Sequence, residues 1–155
     1  MNKKKVLAIA SIGGHWVQLL RIARPMEERY EMIYVSIHPK CATMVEGQRF
    51  YQTADFSRSD AWKLIPSFFK AIRIIWQENP NTIITTGAAP GLAYLLAGKF
   101  LGKKTIWIDS IANADHLSAS GRMASKFTSR TYTQWKDLAT GKIKYAGNVF
   151  GIKLD

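Results

Sequence analysis

Short β-branched runs alternate with longer stretches of helical periodicity along this chain. Lys5 to Ala10 is an apolar run that reads as a buried strand, followed by a turn at Gly13-Gly14. From His15, the positions Trp16, Leu19, Leu20 and Ala23 recur at helical spacing, while Arg21 and Arg24 make a basic face. Pro25 is expected to end or kink that helix. Met32 to Ile37 reads as a second strand. A short helix around Thr43 to Gln48 and a short strand near Tyr51 are expected next.

Asp60 is expected to cap a long helix reaching Glu78, with Pro66 kinking it or marking its true start. Its stripe of Trp62, Ile65, Phe69, Ile72 and Trp76, widened by Phe68 and Ile75, is read first as core. With Lys63, Lys70 and Arg73 beside it, an exposed aromatic edge touching an anionic lipid surface is the second use, and the two can coexist. Asn79-Pro80-Asn81 stops the helix. Strand Thr82 to Thr86, a small-residue helix Ala88 to Leu101 and strand Lys104 to Ile108 follow, then a helix around Arg122 to Phe127 and a strand near Arg130 to Thr133. Alternating strands and helices predict an α/β fold, a single Rossmann-like domain over residues 1–155 with a parallel sheet.

Composition narrows the class. Hydrophobic residues make up 47% and charged residues 21%, which suits a globular domain. The lone Cys41 excludes an internal disulfide, and His38 and His116 lack metal-ligating spacing, so neither metal nor cofactor is expected. No apolar run is long enough to span a bilayer and no secretory signal is visible, so a cytoplasmic location is expected. The net charge of +11 points to an anionic partner: nucleic acid, membrane or a phosphorylated substrate. The basic residues are scattered and no nucleic-acid motif is present, so nucleic acid is the least favoured of the three.

In a parallel sheet ligands sit beyond the carboxyl ends of the strands, where the chemically interesting residues fall. Ser11 to His15 brings two glycines and a helix N-terminus, suited to an anion or to a tight turn alone. The dinucleotide fingerprint is not met, because the third glycine and the acidic residue after the second strand are missing. His15 is a candidate general base or phosphate donor, or a structural histidine. Thr86 and Gly87 open a loop of small residues and hydroxyls that a ligand, or a plain turn, would use. Asp109 and Ser110 follow a strand, where a carboxylate binds sugar hydroxyls or acts as a base. Ser118, Ser120 and Arg122 offer hydroxyls and a guanidinium to phosphate, or form a solvated helix cap.

Taken in order, Ser11 to Leu20, Asn79 to Gly87, Asp109 to Ala112, Ser118 to Arg122, Gln134-Trp135 and Tyr145 to Gly147 resemble the PssD-type exopolysaccharide glycosyltransferase subunit. That family is related to the eukaryotic asparagine-linked-glycosylation protein fourteen, and the resemblance covers nearly the whole chain. The chain also looks like the N-terminal half of the lipid II glycosyltransferase MurG. The resemblance implies a split GT-B enzyme. One chain would supply the acceptor-binding, membrane-associated half, and a separate subunit would bind the UDP-sugar.

The implied acceptor is a polyprenyl-diphosphate-linked sugar in exopolysaccharide or capsule synthesis, at the inner face of the plasma membrane. Catalytic roles would fall to His15 and Asp109. Acceptor contacts would fall to Gly13, Gly14, Gln18, Thr86, Gly87, Ser110, Ser118, Ser120 and Arg122, and partner contacts to Gln134 and Trp135. Asp109 stands where the family more often has Glu, and Asn113 where it usually has Arg. A non-catalytic scaffold that recruits and stabilises the transferase is the alternative.

Overall fold

The computed structural model describes residues 2–151. Seven strands form one sheet: β1 (Lys5–Ile9), β2 (Glu31–Ser36), β3 (Arg49–Gln52), β4 (Thr82–Thr85), β5 (Lys104–Ile108), β6 (Arg130–Thr133) and β7 (Ile143–Tyr145). Their order is β3-β2-β1-β4-β5-β6-β7, and each neighbouring pair is parallel. The predicted fold class is therefore the observed one: a single α/β domain with a parallel sheet. The short strand β7 was not anticipated, because its three residues are too few to show a period.

The helices are α1 (Gly14–Met26), α2 (Lys40–Thr43), α3 (Leu64–Glu78), α4 (Ala89–Phe100) and α5 (Ala119–Ala124). Pro25 lies inside the last turn of α1 rather than ending it. The helix expected over Thr43 to Gln48 falls earlier, as the single turn α2. Asp60 does not cap the long helix. It sits at φ −112°, ψ 35° within a 3-10 segment, Arg58–Lys63, and α3 begins at Leu64 with Pro66 in its first turn, where a missing N–H costs nothing.

The core forms on both faces of the sheet. On one, Leu7, Ile9, Ile33, Ile83 and Trp107 pack under Ala71, Ile74 and Ile75 of α3 and Tyr94 and Leu95 of α4. On the other, Val6, Ala8, Met32, Tyr34 and Ile84 meet Trp16, Leu19, Leu20 and Ala23 of α1. The small residues of α4 serve close packing. A Cβ at Gly91 would lie 2.2 Å from Thr85 Oγ1, and one at Gly98 would lie 2.3 Å from Ile83 Cδ1.

The stripe on α3 is the main correction. Its buried side is Ser67, Ala71, Ile74, Ile75 and Glu78, whereas Trp62, Ile65, Phe69 and Trp76 are exposed by 67, 63, 64 and 78%. The core reading fails for these four residues. Only Ile72, Phe68 and Ile75 of that set pack inward. The physical reason is that α3 packs closely on α4, so small side chains face the neighbouring helix and the bulkiest face out.

Candidate functional site

The site is assembled where β1, β4 and β5 end. Gly13 adopts φ 81°, ψ −136° and opens α1 without a side-chain cap. A Cβ at Gly13 or Gly14 would meet nothing within 4 Å, so the space over the loop is open to a ligand. The first helical bond is Val17 N–H to the Gly13 carbonyl, which leaves the preceding N–H groups of the turn aimed outward.

The end of β4 repeats this arrangement. Ala88 precedes α4 at φ 71°, ψ 164°, again with no side-chain cap. That backbone region is almost restricted to glycine, and strain of roughly 1–3 kcal/mol is characteristic of ligand-binding segments. Two uncapped helix N-termini thus follow two adjacent strands, each with the partial positive charge that favours an anion.

His15 joins the two loops. Its Nδ1 lies 3.1 Å from the Thr86 carbonyl, and the Thr86 hydroxyl donates back to the His15 carbonyl at 2.6 Å. A carbonyl oxygen only accepts, so Nδ1 carries the proton and Nε2 of the neutral ring is left with its lone pair. Gly87 at φ 132° makes room for the ring, since a Cβ there would come within 2.8 Å of Nδ1. The tautomer is therefore fixed by the fold.

A neutral polar network braces the third loop. Gln18 donates from its amide to Ser110 Oγ at 3.1 Å, and its oxygen accepts from Ile111 N–H and from the Gln134 amide. Gln134 also donates to the Asp109 carbonyl and accepts from Val149 N–H. Gln134 is 2% exposed and its amide is spent inside the chain, so its polar atoms brace this network. Trp135 is half-buried, its indole N–H donating to the Ile111 carbonyl.

Asp109 is likewise 2% exposed. Its carboxylate accepts from Trp107 Nε1, Asn113 Nδ2, Ser118 N–H and Ser118 Oγ at 2.9, 3.0, 2.9 and 2.6 Å. Ser118 in turn caps α5 through Gly121 N–H. A Cβ at Gly121 would approach Asp109 Oδ1 to 2.6 Å. Ser120 is half-buried in the first turn of α5, and Arg122 is exposed, donating to the Leu117 carbonyl. Sequence reading missed Asn113 as a partner of Asp109. An amide four residues after the carboxylate was the available signal.

His15 thus ties the Gly13-Gly14 turn to the buried Thr86-Gly87 turn, and Gln18, Ser110 and Asp109 brace the neighbouring loop. Beside it, Ile108 of β5 and Tyr132 of β6 are half-exposed and line a cavity of about 380 Å³ with Arg21, Ile22 and Gly147.

The chain is similar to known proteins at both levels. Residues 57–149 match the family described as "Oligosaccharide biosynthesis protein Alg14 like". The UDP-N-acetylglucosamine transferase subunit alg14 of Schizosaccharomyces pombe is 38% identical over 165 residues, covering 89% of this chain and 79% of that protein. In fold, MurG of Acinetobacter baumannii superimposes with a TM-score of 0.79 at 14% identity, over 94% of this chain and 46% of MurG. The UDP-GlcNAc 2-epimerase of Neisseria meningitidis follows with 0.70 at 11% identity, over 94% and 47%. This chain spans about half the length of those solved structures and is similar to the N-terminal half of GT-B enzymes such as MurG. By its sequence match over more than half its length, the chain belongs to the Alg14 family.

Proposed function

We propose that this chain is the acceptor-binding, membrane-associated subunit of a two-component glycosyltransferase. Its partner binds a UDP-sugar, and the sugar passes to a polyprenyl-diphosphate-linked acceptor in exopolysaccharide or capsule synthesis. The single observation that carries this reading is the pair of uncapped helix N-termini, at Gly13-Gly14 and at Ala88, flanking a histidine with its Nε2 lone pair fixed. A diphosphate placed over both turns meets two dipole ends and unspent N–H groups. Its first sugar then lies within reach of His15.

His15 acts as the general base on the acceptor hydroxyl, or donates to phosphate once protonated. Asp109, with its carboxylate committed to four donors, is a positioning residue that fixes the loop carrying Ser110. The half-buried strip of Ile108 and Tyr132 and the adjoining cavity, which Gln134 also lines, is the docking face for the donor-binding subunit. The relative's name makes UDP-N-acetylglucosamine the first donor to try.

No helix among the described residues is long and apolar enough to cross a membrane. Attachment at the inner face of the plasma membrane is proposed instead through Trp62, Ile65, Phe69 and Trp76, with Phe100 beside them and Lys63, Lys70 and Arg73 around them. Leaving these side chains in water forgoes roughly 1.5–3 kcal/mol each, a cost that lipid contact removes.

The test is reconstitution of the chain with its donor-binding subunit, then transfer of labelled UDP-N-acetylglucosamine and other UDP-sugars to polyprenyl-diphosphate-linked sugars. Transfer that requires both chains is expected. Transfer by either chain alone rules the split reading out.

A further inference from the structure

The starts of β6 and β7 flank a hollow of about 340 Å³, at the opposite end of the sheet from the Gly13-Gly14 turn. Apart from Gly141, every residue lining it carries a hydroxyl or a positive charge. The charges are those of Arg130, Lys142 and Lys144, all exposed. Among the described residues the ion pairs are Arg49 with Glu78 and Lys63 with Asp60, so none of these three cations is neutralised. The acidic residues nearest in sequence, Asp109, Asp115 and Asp137, all follow the carboxyl ends of β5 and β6. Lys104 at the start of β5 and Lys126 after α5 add only positive charge.

The backbone brings the cations together. β6 and β7 pair in parallel, with Thr131 beside Ile143 and Tyr132 beside Lys144. One step earlier, that register brings Lys142 beside Arg130. A tight turn holds it there, since Ile143 N–H donates to the Thr140 carbonyl at 2.8 Å and Thr140 N–H to the Ile143 carbonyl at 3.0 Å. Like charges opposite each other on paired strands are destabilising, and no group of the chain relieves this pair. An anion between them would.

The walls supply hydrogen-bond donors as well as charge. The Thr128 and Thr131 hydroxyls lie 2.7 Å apart and share one hydrogen bond. Thr131 is 2% exposed and its hydroxyl makes no other bond, so it donates, and half-buried Thr128 keeps its own hydrogen for the hollow. Ser129 Oγ accepts from Thr105 N–H at 3.1 Å, while the contact between the two hydroxyls is long, at 3.5 Å. The Ser129 hydroxyl is therefore a second donor that the chain hardly uses. Two hydroxyls, a planar guanidinium and two ammonium groups, with no carboxylate among them, match the oxygens of a phosphate.

We propose that this hollow binds a phosphate group, free or as part of a small phosphomonoester, at a site separate from the acceptor turn. Its volume is in the range of small-ligand sites. It has no aromatic wall to stack a base and no apolar wall to hold a lipid tail. The site is independent of the acceptor, the sugar and the membrane.

Titration of the isotope-labelled chain at physiological salt, followed by backbone amide chemical shifts, separates this hollow from the Gly13-Gly14 turn. Inorganic phosphate and glycerol phosphate are the probes. Saturable shifts are expected at Thr128, Ser129, Arg130 and Lys142. Tighter binding of glycerol phosphate assigns the site to an ester, and tighter binding of inorganic phosphate to the free anion. Arg130→Gln with Lys142→Gln is expected to weaken binding at these amides at least tenfold, and Thr128→Val several-fold, with any shifts at Gly13 and Gly14 unchanged. Shifts that never saturate, or binding that survives the double variant, overturn the site. A single-stranded DNA oligomer that binds far more tightly than either phosphate and shifts the whole basic edge overturns it too, in favour of a polyanion surface.

Discussion

The two ends of the sheet hold buried polar clusters that differ in what lies beside them. At the amino end, Glu78 is 4% exposed and accepts from the Arg49 guanidinium and the Tyr51 hydroxyl, while Lys5 Nζ reaches the Glu78 backbone carbonyl. Burial alone pushes the Glu78 carboxyl up. The Tyr51 and Arg49 hydrogen bonds and the Arg49 charge outweigh it and hold the group below the ordinary glutamate range. Every strong group of this cluster is answered within the chain, fastening edge strand β3 to the end of α3. At the carboxyl end, the Asp109 and Gln18 clusters are answered in the same way, but the Gly13-Gly14 turn beside them opens on free space and leaves helix N–H groups unspent. A buried polar cluster is thus not itself a sign of function. Unspent donors beside a satisfied, rigid cluster are.

The largest effect that separates the two ends is expected from His15→Ala, measured in the reconstituted pair. A well-placed general base contributes about 10²–10⁴ in rate. Loss of kcat in that range is expected, while the lost hydrogen bond to Thr86 lowers stability by only about 1 kcal/mol. Full activity in this variant would favour the scaffold reading and leave the carboxyl end as merely another braced loop cluster.

Asp109→Ala comes next, and its effect is expected on folding rather than chemistry. The substitution strands the Trp107 indole N–H, the Ser118 N–H and the Asn113 amide around a buried site. Stranded buried donors cost about 1–3 kcal/mol each, so a loss of at least about 3 kcal/mol is expected in urea unfolding. Asp109→Asn is expected to lose about half as much, because one acceptor edge becomes a donor. Activity per folded molecule should stay within several-fold of the unmodified protein. A hundredfold fall in kcat for Asp109→Asn at undiminished stability would make Asp109 catalytic after all.

How far the sequence reveals this contrast depends on the range of the interaction. The strand-end loops at Gly13-Gly14, Thr86-Gly87 and Asp109-Ser110 were legible, because a glycine or hydroxyl after a β-branched run is a local pattern. The Gln18–Gln134 bond was not legible, since it joins residues 116 apart and the segments that hold them pointed outward, to an acceptor and to a partner, rather than to each other. The roll of α3 also escaped. Its period is helical on any face, and Trp62, Phe69 and Trp76 outweigh Ser67, Ala71 and Ile74 in hydrophobicity, so composition points the wrong side inward. What decides the matter is close approach to α4, a tertiary fact. Glu78 read as a helix end because nothing local announces that Arg49 and Tyr51, some 27 to 29 residues earlier, will meet it.

Glu78→Gln gives the smallest of these effects and probes the amino end directly. Arg49 is largely in water, its side chain 57% exposed, so screening limits the ionic part of the pairing. Replacing the carboxylate is expected to cost about 1 kcal/mol near neutral pH, with transfer activity unchanged. The pH dependence supplies the sharper reading. A carboxyl whose folded pKa is depressed contributes stability that is present above its unfolded pKa and is lost as pH falls through the folded one. The melting temperatures of the unmodified protein and Glu78→Gln should therefore differ most near neutrality and converge below the ordinary glutamate range. A gap that persists unchanged into acid would assign the role of Glu78 to packing rather than charge. A fall in transfer activity beyond the loss of folded protein would erase the distinction between the two ends of the sheet.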